Sequence, residues 1–465
     1  MRARGGAQAS FCYDLEIMAL LRFSSHSVVP WLRPGPVAAL ALSIACGTVP
    51  AAAQESFEDQ VANLKSPTAR TRQAAAQELG KSRRREAVAP LSALVRDPEV
   101  RVRLEVVKAL GKLRDLSAVP ALVTSLQDGD AGIREEAIGT IVEIYAERDR
   151  GGPVDRFLET FSDEYDRQSV APYTLVDAGV FRGLAATLRD ERKGIRAGSA
   201  YAIGILGGGS AIPDLVVALQ DPESDVRAAA ATAIGKVGKV DEGRALVPLL
   251  ADESATVRNR ALQAVGVLRV REAGPALREM FEQNRRRELG SRVLASLSRI
   301  GDPAQADLFR ELLSSNDPEQ RRLAVEGLGR IADASMMPSF KKDYQREKNG
   351  DVRLAYNFAI VSLGDRAFLD AIVLALGSAG GAARRARDYV LELGPGIAPD
   401  LYPYLNDRDP EVRGALCDVL AQLGVAEAGP HITPLLADPN SKVADRANRA
   451  IEKLRRAGGA AAPAP

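Results

Sequence analysis

The chain has 465 residues, with 62 basic and 61 acidic side chains, a hydrophobic fraction of 46% and an aromatic fraction of 5%. That balance excludes a wholly disordered chain, a multi-span membrane protein and a nucleic-acid binder acting through its net field. One Trp and two His leave little for aromatic-filled cores, acid–base work or His-based metal sites.

At the N-terminus, Val37 to Val49 is apolar but too short to anchor in a bilayer. Arg22 and Arg33 precede it, and Ala51-Ala52-Ala53-Gln54 follows, with small residues at the −3 and −1 positions of a signal-peptidase site. Residues 1–53 therefore read as a signal peptide cleaved after Ala53. A start at Met18 makes its charged region more ordinary, so Met1 to Ile17 reads as an extension, and both starts stay open. An alternative keeps Cys46 as the lipidated first residue of an envelope lipoprotein, although the Leu of Leu42-Ser-Ile-Ala-Cys46 stands at −4 rather than −3. Cleavage after Ala53 removes four Arg, Asp14 and Glu16, and the net charge passes from +1 to −1. It also removes the Trp, Cys12, Cys46 and His26, leaving Cys417 and His431 and no intramolecular disulfide. Arg outnumbers Lys 50 to 12, a bias of GC-rich bacterial genomes, and the expected destination is the periplasm.

Beyond the leader, one frame recurs. Val226-Arg227 to Gly235 matches Val257-Arg258 to Gly266, and each follows an Asp-led loop, Asp221-Pro222 or Asp252-Glu253. The same frame returns at Val102-Arg103, Ile195-Arg196 and Val412-Arg413. Arg holds the slot at Arg72, Arg103, Arg134, Arg196, Arg227, Arg258, Arg321, Arg353 and Arg413, while Gly290, Ala383 and Ala444 fill it without Arg. The period is 30 to 32 residues. The interval from Arg134 to Arg196 is two periods, so Tyr165 marks a degenerate unit and the total is thirteen. Each unit reads as two helices. The first, typified by Ala211 to Leu219, has Pro near its start, where a missing N–H costs nothing. The loop Asp is placed to cap the second. In that second helix Val226, Ala230, Ala233, Ile234 and Val237 share one face, and Gly235 and Gly266 sit near the start of the inter-unit turn. A unit this small cannot bury its own apolar stripe, so the units must stack into an all-α, α–α superhelical solenoid over residues 54–456. The tail 457–465, rich in Ala, Gly and Pro, has nothing to bury and is expected to be disordered.

The frame A-x-P-x-L…D-P-x-x-V-R-x-x-A-x-x-A-L-G is carried here by Ala89-Pro90-Leu91, Asp97-Pro98-Glu99-Val100-Arg101-Val102-Arg103 and Ala109-Leu110-Gly111. It resembles the HEAT-like repeats of the phycobilisome-lyase type over about residues 56–456. The resemblance implies the fold and leaves function open, because many functions share such repeats. The recurring Arg has two readings: a structural ladder pairing each Arg with a loop Asp of its own or a neighbouring unit, or a basic stripe for an anionic ligand.

Catalytic signatures are absent. There is no HExxH, and the di-iron His-Glu pairs of the similar deoxyhypusine hydroxylases are missing, so that activity is not transferred. Gly80-Lys81-Ser82 ends like a Walker A motif but sits at a helix end, and Ala75 replaces its first Gly. Gly204 to Gly209 ends one unit and joins the next, and Gly377 to Gly381 reads as a loose intra-unit loop. Cys417 lies in an apolar stripe and reads as core. No cofactor or metal is expected.

Two stretches depart from the pattern. Residues 146–191 hold ten acids and six Arg, a net of −4, with Phe157, Phe161, Tyr165 and Tyr173. A helix Val154 to Asp166 there is either a degenerate repeat or a protruding docking element. Residues 255–330 hold fourteen Arg and ten acids, a net of +4, including Arg285-Arg286-Arg287. On the second helices, positions two, five and nine after the ladder slot should face solvent on the concave side. That row holds Arg260, Arg292, Arg299 and Arg330, with Tyr201 and Phe358 nearby, a combination that fits an acidic or anionic partner. The expectation is an exported, non-enzymatic scaffold or adaptor that binds protein or peptide partners, with no nucleic acid and no membrane span in the mature chain. The alternative is an accessory lyase-like or maturation factor for a modified protein.

Overall fold

The computed structural model describes residues 56–147 and 175–459. The expected leader and the Val154 to Asp166 segment lie outside them. Twelve helix pairs follow one another in the described residues. Units 1 to 3 are α1 (Phe57–Asn63) with α2 (Ala69–Lys81), α3 (Val88–Ser92) with α4 (Val100–Leu113), and α5 (Val119–Ser125) with α6 (Ala131–Glu147). Units 4 to 6 are α7 (Ala178–Thr187) with α8 (Lys193–Leu206), α9 (Ile212–Ala218) with α10 (Ser224–Val237), and α11 (Val240–Gly243) with α12 (Ala255–Val267). Units 7 to 9 are α13 (Gly274–Asn284) with α14 (Glu288–Ile300), α15 (Ala306–Leu312) with α16 (Pro318–Ile331), and α17 (Met337–Arg346) with α18 (Gly350–Ser362). Units 10 to 12 are α19 (Leu369–Leu376) with α20 (Gly381–Leu393), α21 (Ala398–Leu401) with α22 (Pro410–Leu423), and α23 (Ala428–Ile432) with α24 (Ser441–Gly459). Short 3-10 turns precede most first helices or continue them. Pro stands in the first turn of α5, α9, α13 and α17, where its missing N–H has no helical partner to lose.

The solenoid is therefore as expected in kind, with twelve of the thirteen expected units among the described residues. Unit 3 packs directly on unit 4: α6 lies along α8, and α5 contacts α7. The expected unit centred on Tyr165 lies outside the described residues. The tail changes. Helix α24 runs on to Gly459, three residues into the segment expected to be disordered, since Ala457 is a strong helix former and continues the last turn.

Second helices form the tight row. Along it Val226, Ala230, Ala233 and Ile234 of α10 are fully buried, as are their counterparts Val257, Ala261 and Val265 of α12. Gly235 and Gly266 sit in the last turn of their helices, one or two residues before the inter-unit turn, where a Cβ on Gly235 would stand 2.9 Å from the Ala264 Cβ and one on Gly266 would stand 3.1 Å from the Ser296 Cβ. The same device recurs at Gly80 against Ala109 and Gly329 against Ala359. Glycine at this position lets neighbouring helices touch backbone to backbone, a contact no larger residue permits.

The Arg ladder is structural. Arg103 donates from Nε and Nη2 to Oδ2 and Oδ1 of Asp128 in the next unit, at 2.6 and 2.9 Å. Its Nη1 donates to the carbonyls of Asp97 and Pro98 in its own loop, at 2.7 and 3.2 Å. One guanidinium thus fastens its own loop and clamps the following one. The forked pairing repeats for Arg72 with Asp97, Arg196 with Asp221, Arg227 with Asp252, Arg413 with Asp438 and Arg321 with Glu347. Arg134 makes it with Asp190, at 2.7 and 3.1 Å, across the whole interval that holds Tyr165. The loop Asp does less direct capping than expected. Asp97 Oδ1 accepts from the N–H of Glu99, itself the N-cap residue of α4. A direct Asp N-cap occurs at Asp317 and Asp409.

Besides the slots Gly290 and Ala383, which hold no Arg, two ladder Arg lack an acid. Arg258 and Arg353 keep bonds to carbonyls of their own loops, but twenty-five residues further on stand Gln283 and Ser378 instead of an acid. Arg353 lies over the Tyr344 ring instead, at 4.4 Å.

Candidate partner-binding face

At unit 10 the tight row breaks. Helices α16 and α18 run side by side along their length, whereas α20 meets α18 and α22 only briefly and α22 packs against α19. A Cβ on Gly377, at the end of α19, would stand 2.6 Å from Val412 of α22. Three local features of the sequence account for this. Val361 holds the position that is Gly in α2, α4, α8, α10, α12 and α16, so the close approach those glycines allow is not available after α18, as it is not after α6 with Val142. Ser378 offers Arg353 no carboxylate, and Ala383 offers nothing to the loop of unit 11. The loop Gly377 to Gly381 is the joint: Gly380 has φ +72° and ψ −136°, a region open to glycine alone. Gly394, at the far end of α20, has φ +78° and ψ −179°. The apolar core divides at the same place. Val352, Ala355, Ala359 and Ile360 of α18 belong to the core of units 1 to 9, while Leu354, Phe358 and Val361 pack with Ala386, Tyr389 and Val390 of α20.

So placed, α20 reaches across units 9, 8 and 6. The Tyr389 ring stacks on Phe358 with centroids 4.4 Å apart, and its hydroxyl donates to Glu326 of α16 at 2.5 Å. Glu392 accepts from Arg330 Nε and Nη2 at 2.8 and 3.0 Å, and from Arg269 in the turn after α12. Arg330 Nη1 also donates to Ser298 Oγ of α14 at 2.9 Å. Arg385 of α20 bonds Asp351 at the start of α18. Within α16, Arg322 and Arg330 both pair with Glu326, and Arg322 also pairs with Glu319.

Electrostatics follow from this packing. Burial alone would raise Glu326, yet Arg330, Arg322 and the Tyr389 hydroxyl together hold its carboxyl below the usual range. Burial and the Glu326 charge push the Tyr389 phenol well above its ordinary value. Burial likewise opposes the charge on Arg330, and Glu326 and Glu392 more than offset it. Arg299 is different. Its side chain is open to solvent, yet crowding by neighbouring helices lowers its guanidinium, with like-charged Arg330 adding to the effect and Asp388, Glu326 and Glu392 opposing it. Asp388 of α20 is its counterpart: burial raises it, and Arg387, Arg299 and Arg384 pull it down.

The row expected to face solvent is thus divided. Arg292 and Arg299 are exposed on α14, while Arg260 on α12 and Tyr201 on α8 are half-buried. Phe358 and Arg330 correct the expectation. Phe358 is 1% exposed because Tyr389 covers it, and Arg330 is clamped by Glu326, Glu392 and Ser298. Position five of the frame faces solvent in some units and a neighbour in others: Gln77 and Gln263 there are exposed, whereas Thr232 and Glu326 are buried. Glu326, Tyr389 and Glu392 were not singled out from the sequence. The signals that locate them are the missing ladder Arg at Ala383, the missing acid at Ser378 and Val361 in place of Gly. Among the described residues no group of three or more His, Cys, Asp or Glu is placed to hold a metal ion, and no helix is long and apolar enough to cross a membrane. Cys417 is buried, and burial, with Asp418 adding, pushes its thiol up to about 12.

The family description "HEAT repeats" matches residues 59–141, 181–266 and 243–329. The chain is a HEAT-repeat protein. No match is found among curated proteins. Solved structures with the same kind of fold include a chain of the CpcE and CpcF complex of phycocyanin lyase from Nostoc, 21% identical over 67% of this chain and 95% of that one, with a TM-score of 0.27. A chain of the Kap95:Nup1 complex is 14% identical over 87% of this chain and 57% of its own length, with a TM-score of 0.46. A designed armadillo repeat protein in complex with the peptide (KR)4 is 20% identical over 46% of this chain and all of its own, with a TM-score of 0.33. These likenesses concern the fold alone.

Proposed function

We propose that this HEAT-repeat protein is an exported, non-enzymatic scaffold that binds a protein or peptide partner along its second-helix face, and that the partner is acidic. The observation that carries this reading is the exposed pair Arg292 and Arg299 on α14, in the basic stretch 255–330. They stand on a row whose geometry is held by buried apolar contacts such as Val293, Leu294 and Leu297, in a unit that no ladder pair ties to its neighbours, since Arg258 faces Gln283 and Gly290 holds the slot. Such a surface presents charge at fixed spacing, which favours recognition by electrostatic complementarity over chemistry on a small substrate. Replacing Arg260, Arg292 and Arg299 together by Glu should abolish capture of the partner by a photo-cross-linker placed at Glu288, read by mass spectrometry on the native cell envelope. Unchanged capture would sink the reading. Export is part of the proposal, and a mature chain whose mass begins at Gln54 supports it. A chromophore co-purifying with the chain would point to the maturation-factor alternative.

A further inference from the structure

We propose that the turns ending units 1 and 2 form a binding site for an oligophosphate group, carried by a soluble molecule or by a lipid headgroup. The inference goes beyond the binding reading above. It concerns units 1 and 2, whereas that reading rests on unit 7, and neither depends on the other.

The site repeats one two-charge pattern in adjacent units. Nine and eleven residues after the ladder slot stand Lys81 and Arg83 in unit 1, and Lys112 and Arg114 in unit 2. Among the described units only the last shares both charges, at Lys453 and Arg455, where α24 runs on as a helix and no further unit supplies a second pair. The contact of Gly80 with Ala109 draws α2 against α4. Arg85 then pairs with Asp115 across the two turns at 2.5 Å, and the other oxygen of Asp115 accepts from the Ser117 N–H. The turns are thus held in register. All four cations are exposed, and they face one cleft of about 690 Å³, lined by Gly80, Lys81, Arg83, Lys112, Leu113 and Arg114. Glu78 pairs with Lys81 at 2.8 Å and Glu105 lies 3.8 Å from Lys112, each on the helix of its partner, but no acid among the described residues lines the cleft.

Backbone conformation separates this cluster from ordinary charge at a helix end. A Lys in the last turn complements the helix dipole. An Arg just past the end, in the left-handed region, is a different matter. Eleven residues after the slot, Gly207, Gly301, Gly364, Gly394 and Gly424 have positive φ, as glycine does without cost. Arg83 and Arg114 adopt the same region, at φ +54° and +52°, and a side chain held there must offset the strain by what it contacts. Arg269, at φ +56°, does so by bonding Glu392. Arg83 and Arg114 instead line the cleft.

The ligand follows from the lining. Each Arg offers a planar fork that matches phosphate oxygens, and each Lys adds a mobile point charge. Two such pairs side by side suit linked phosphates better than a single one. Leu113 is the one apolar side chain of the lining, and no ring is there to stack a base or seat an aromatic anchor, so the cleft reads the anionic group itself. No phosphate-wrapping loop is involved: Ser82, after Lys81, donates from Oγ to the Leu79 carbonyl at 2.6 Å.

The test uses the full chain and sodium tripolyphosphate, read by isothermal titration calorimetry at fixed ionic strength. We expect tripolyphosphate to bind at least tenfold more tightly than orthophosphate, and both R83G and K81Q/K112Q to weaken it at least tenfold. R83G should leave the thermal midpoint equal or higher, because glycine relieves the left-handed strain. Equal affinity for the two phosphates overturns the proposal, and so does tripolyphosphate affinity unchanged in both variants. A lower midpoint in R83G with affinity intact assigns Arg83 to the fold and overturns it as well. A second arm separates the two sources, using cosedimentation with phosphatidylcholine vesicles that contain cardiolipin, whose headgroup holds two phosphates. Capture that tripolyphosphate releases and K81Q/K112Q loses places the group on a lipid. Calorimetric binding without capture places it on a soluble molecule. Capture that both variants retain, with no calorimetric binding, overturns the proposal.

Discussion

A ladder Arg is worth more than its ion pair. Arg103 closes four hydrogen bonds at once, two to the next unit and two to its own loop. Arg103→Ala leaves Asp128 half-enclosed without its partner and should lower stability by about 2 kcal/mol, read as a lower urea midpoint, while partner capture stays intact. The ladder acids also fix the response to acid. For Asp128, burial alone would raise the carboxyl, but Arg103, the N–H of Asp130 and Arg134 outweigh it and hold it below the ordinary range. Asp97, Asp190 and Asp221 behave alike. A depressed folded value means that the unfolded chain takes up the proton first as pH falls. The ladder's stabilisation is therefore complete above the unfolded value of about 4 and is lost as pH drops through the lower folded values. Thermal midpoints should be flat from neutral pH down to about 5 and fall steeply below about 4, and the fall should be shallower in Arg103→Ala. Cys417 makes the opposite case: with its thiol pushed up to about 12, it should resist iodoacetamide at pH 8 in the folded chain and react promptly in urea.

At the scale of one helix, the contact between neighbours turns on a single position. A Cβ on Gly329 would stand 2.8 Å from the Ala359 Cβ and 2.9 Å from its Cα, and a helix backbone cannot yield as a flexible side chain can. Gly329→Val should cost about 1–3 kcal/mol and, by prising α16 from α18, raise amide exchange in both, as hydrogen–deuterium exchange would show. Nature's own substitution of this kind is Val361, and after it the row departs from regularity. The sequence carried the repeat, the ladder slots and the loop Asp in plain view, because each is a local pattern repeated at a fixed period. The consequence of Val361, Ser378 and Ala383 acting together was not legible. Each looks like an ordinary lapse in a degenerate repeat, and only their joint effect on packing sends α20 across Phe358 and Arg330.

For the whole solenoid, one interval stands apart. Arg134 reaches Asp190 with the same forked geometry that Arg103 uses for Asp128, although 56 residues separate the pair. Units 3 and 4 are therefore joined directly by the ladder. Replacing residues 150–172 by a Gly/Ser linker of about ten residues should leave helicity per residue and the thermal midpoint unchanged by circular dichroism, since a shorter closure costs no additional entropy. A large loss of either would show that a further unit does belong in the stack.

By itself the sequence determined that this is a solenoid of paired helices, that small residues and Val, Leu and Ile fill its core, and that an Arg recurs at one slot of the frame. Those properties are periodic, and a period survives in one dimension. The tertiary structure alone decided that the repeated Arg pairs across units rather than facing a ligand, and that Phe358 and Arg330 are covered rather than open. The expected basic row meets Tyr389 and Glu392 of another helix of the same chain. These are contacts between units up to four apart, such as Arg269 with Glu392, where two side chains distant in sequence compete for one volume and one charge, and no spacing rule encodes the outcome.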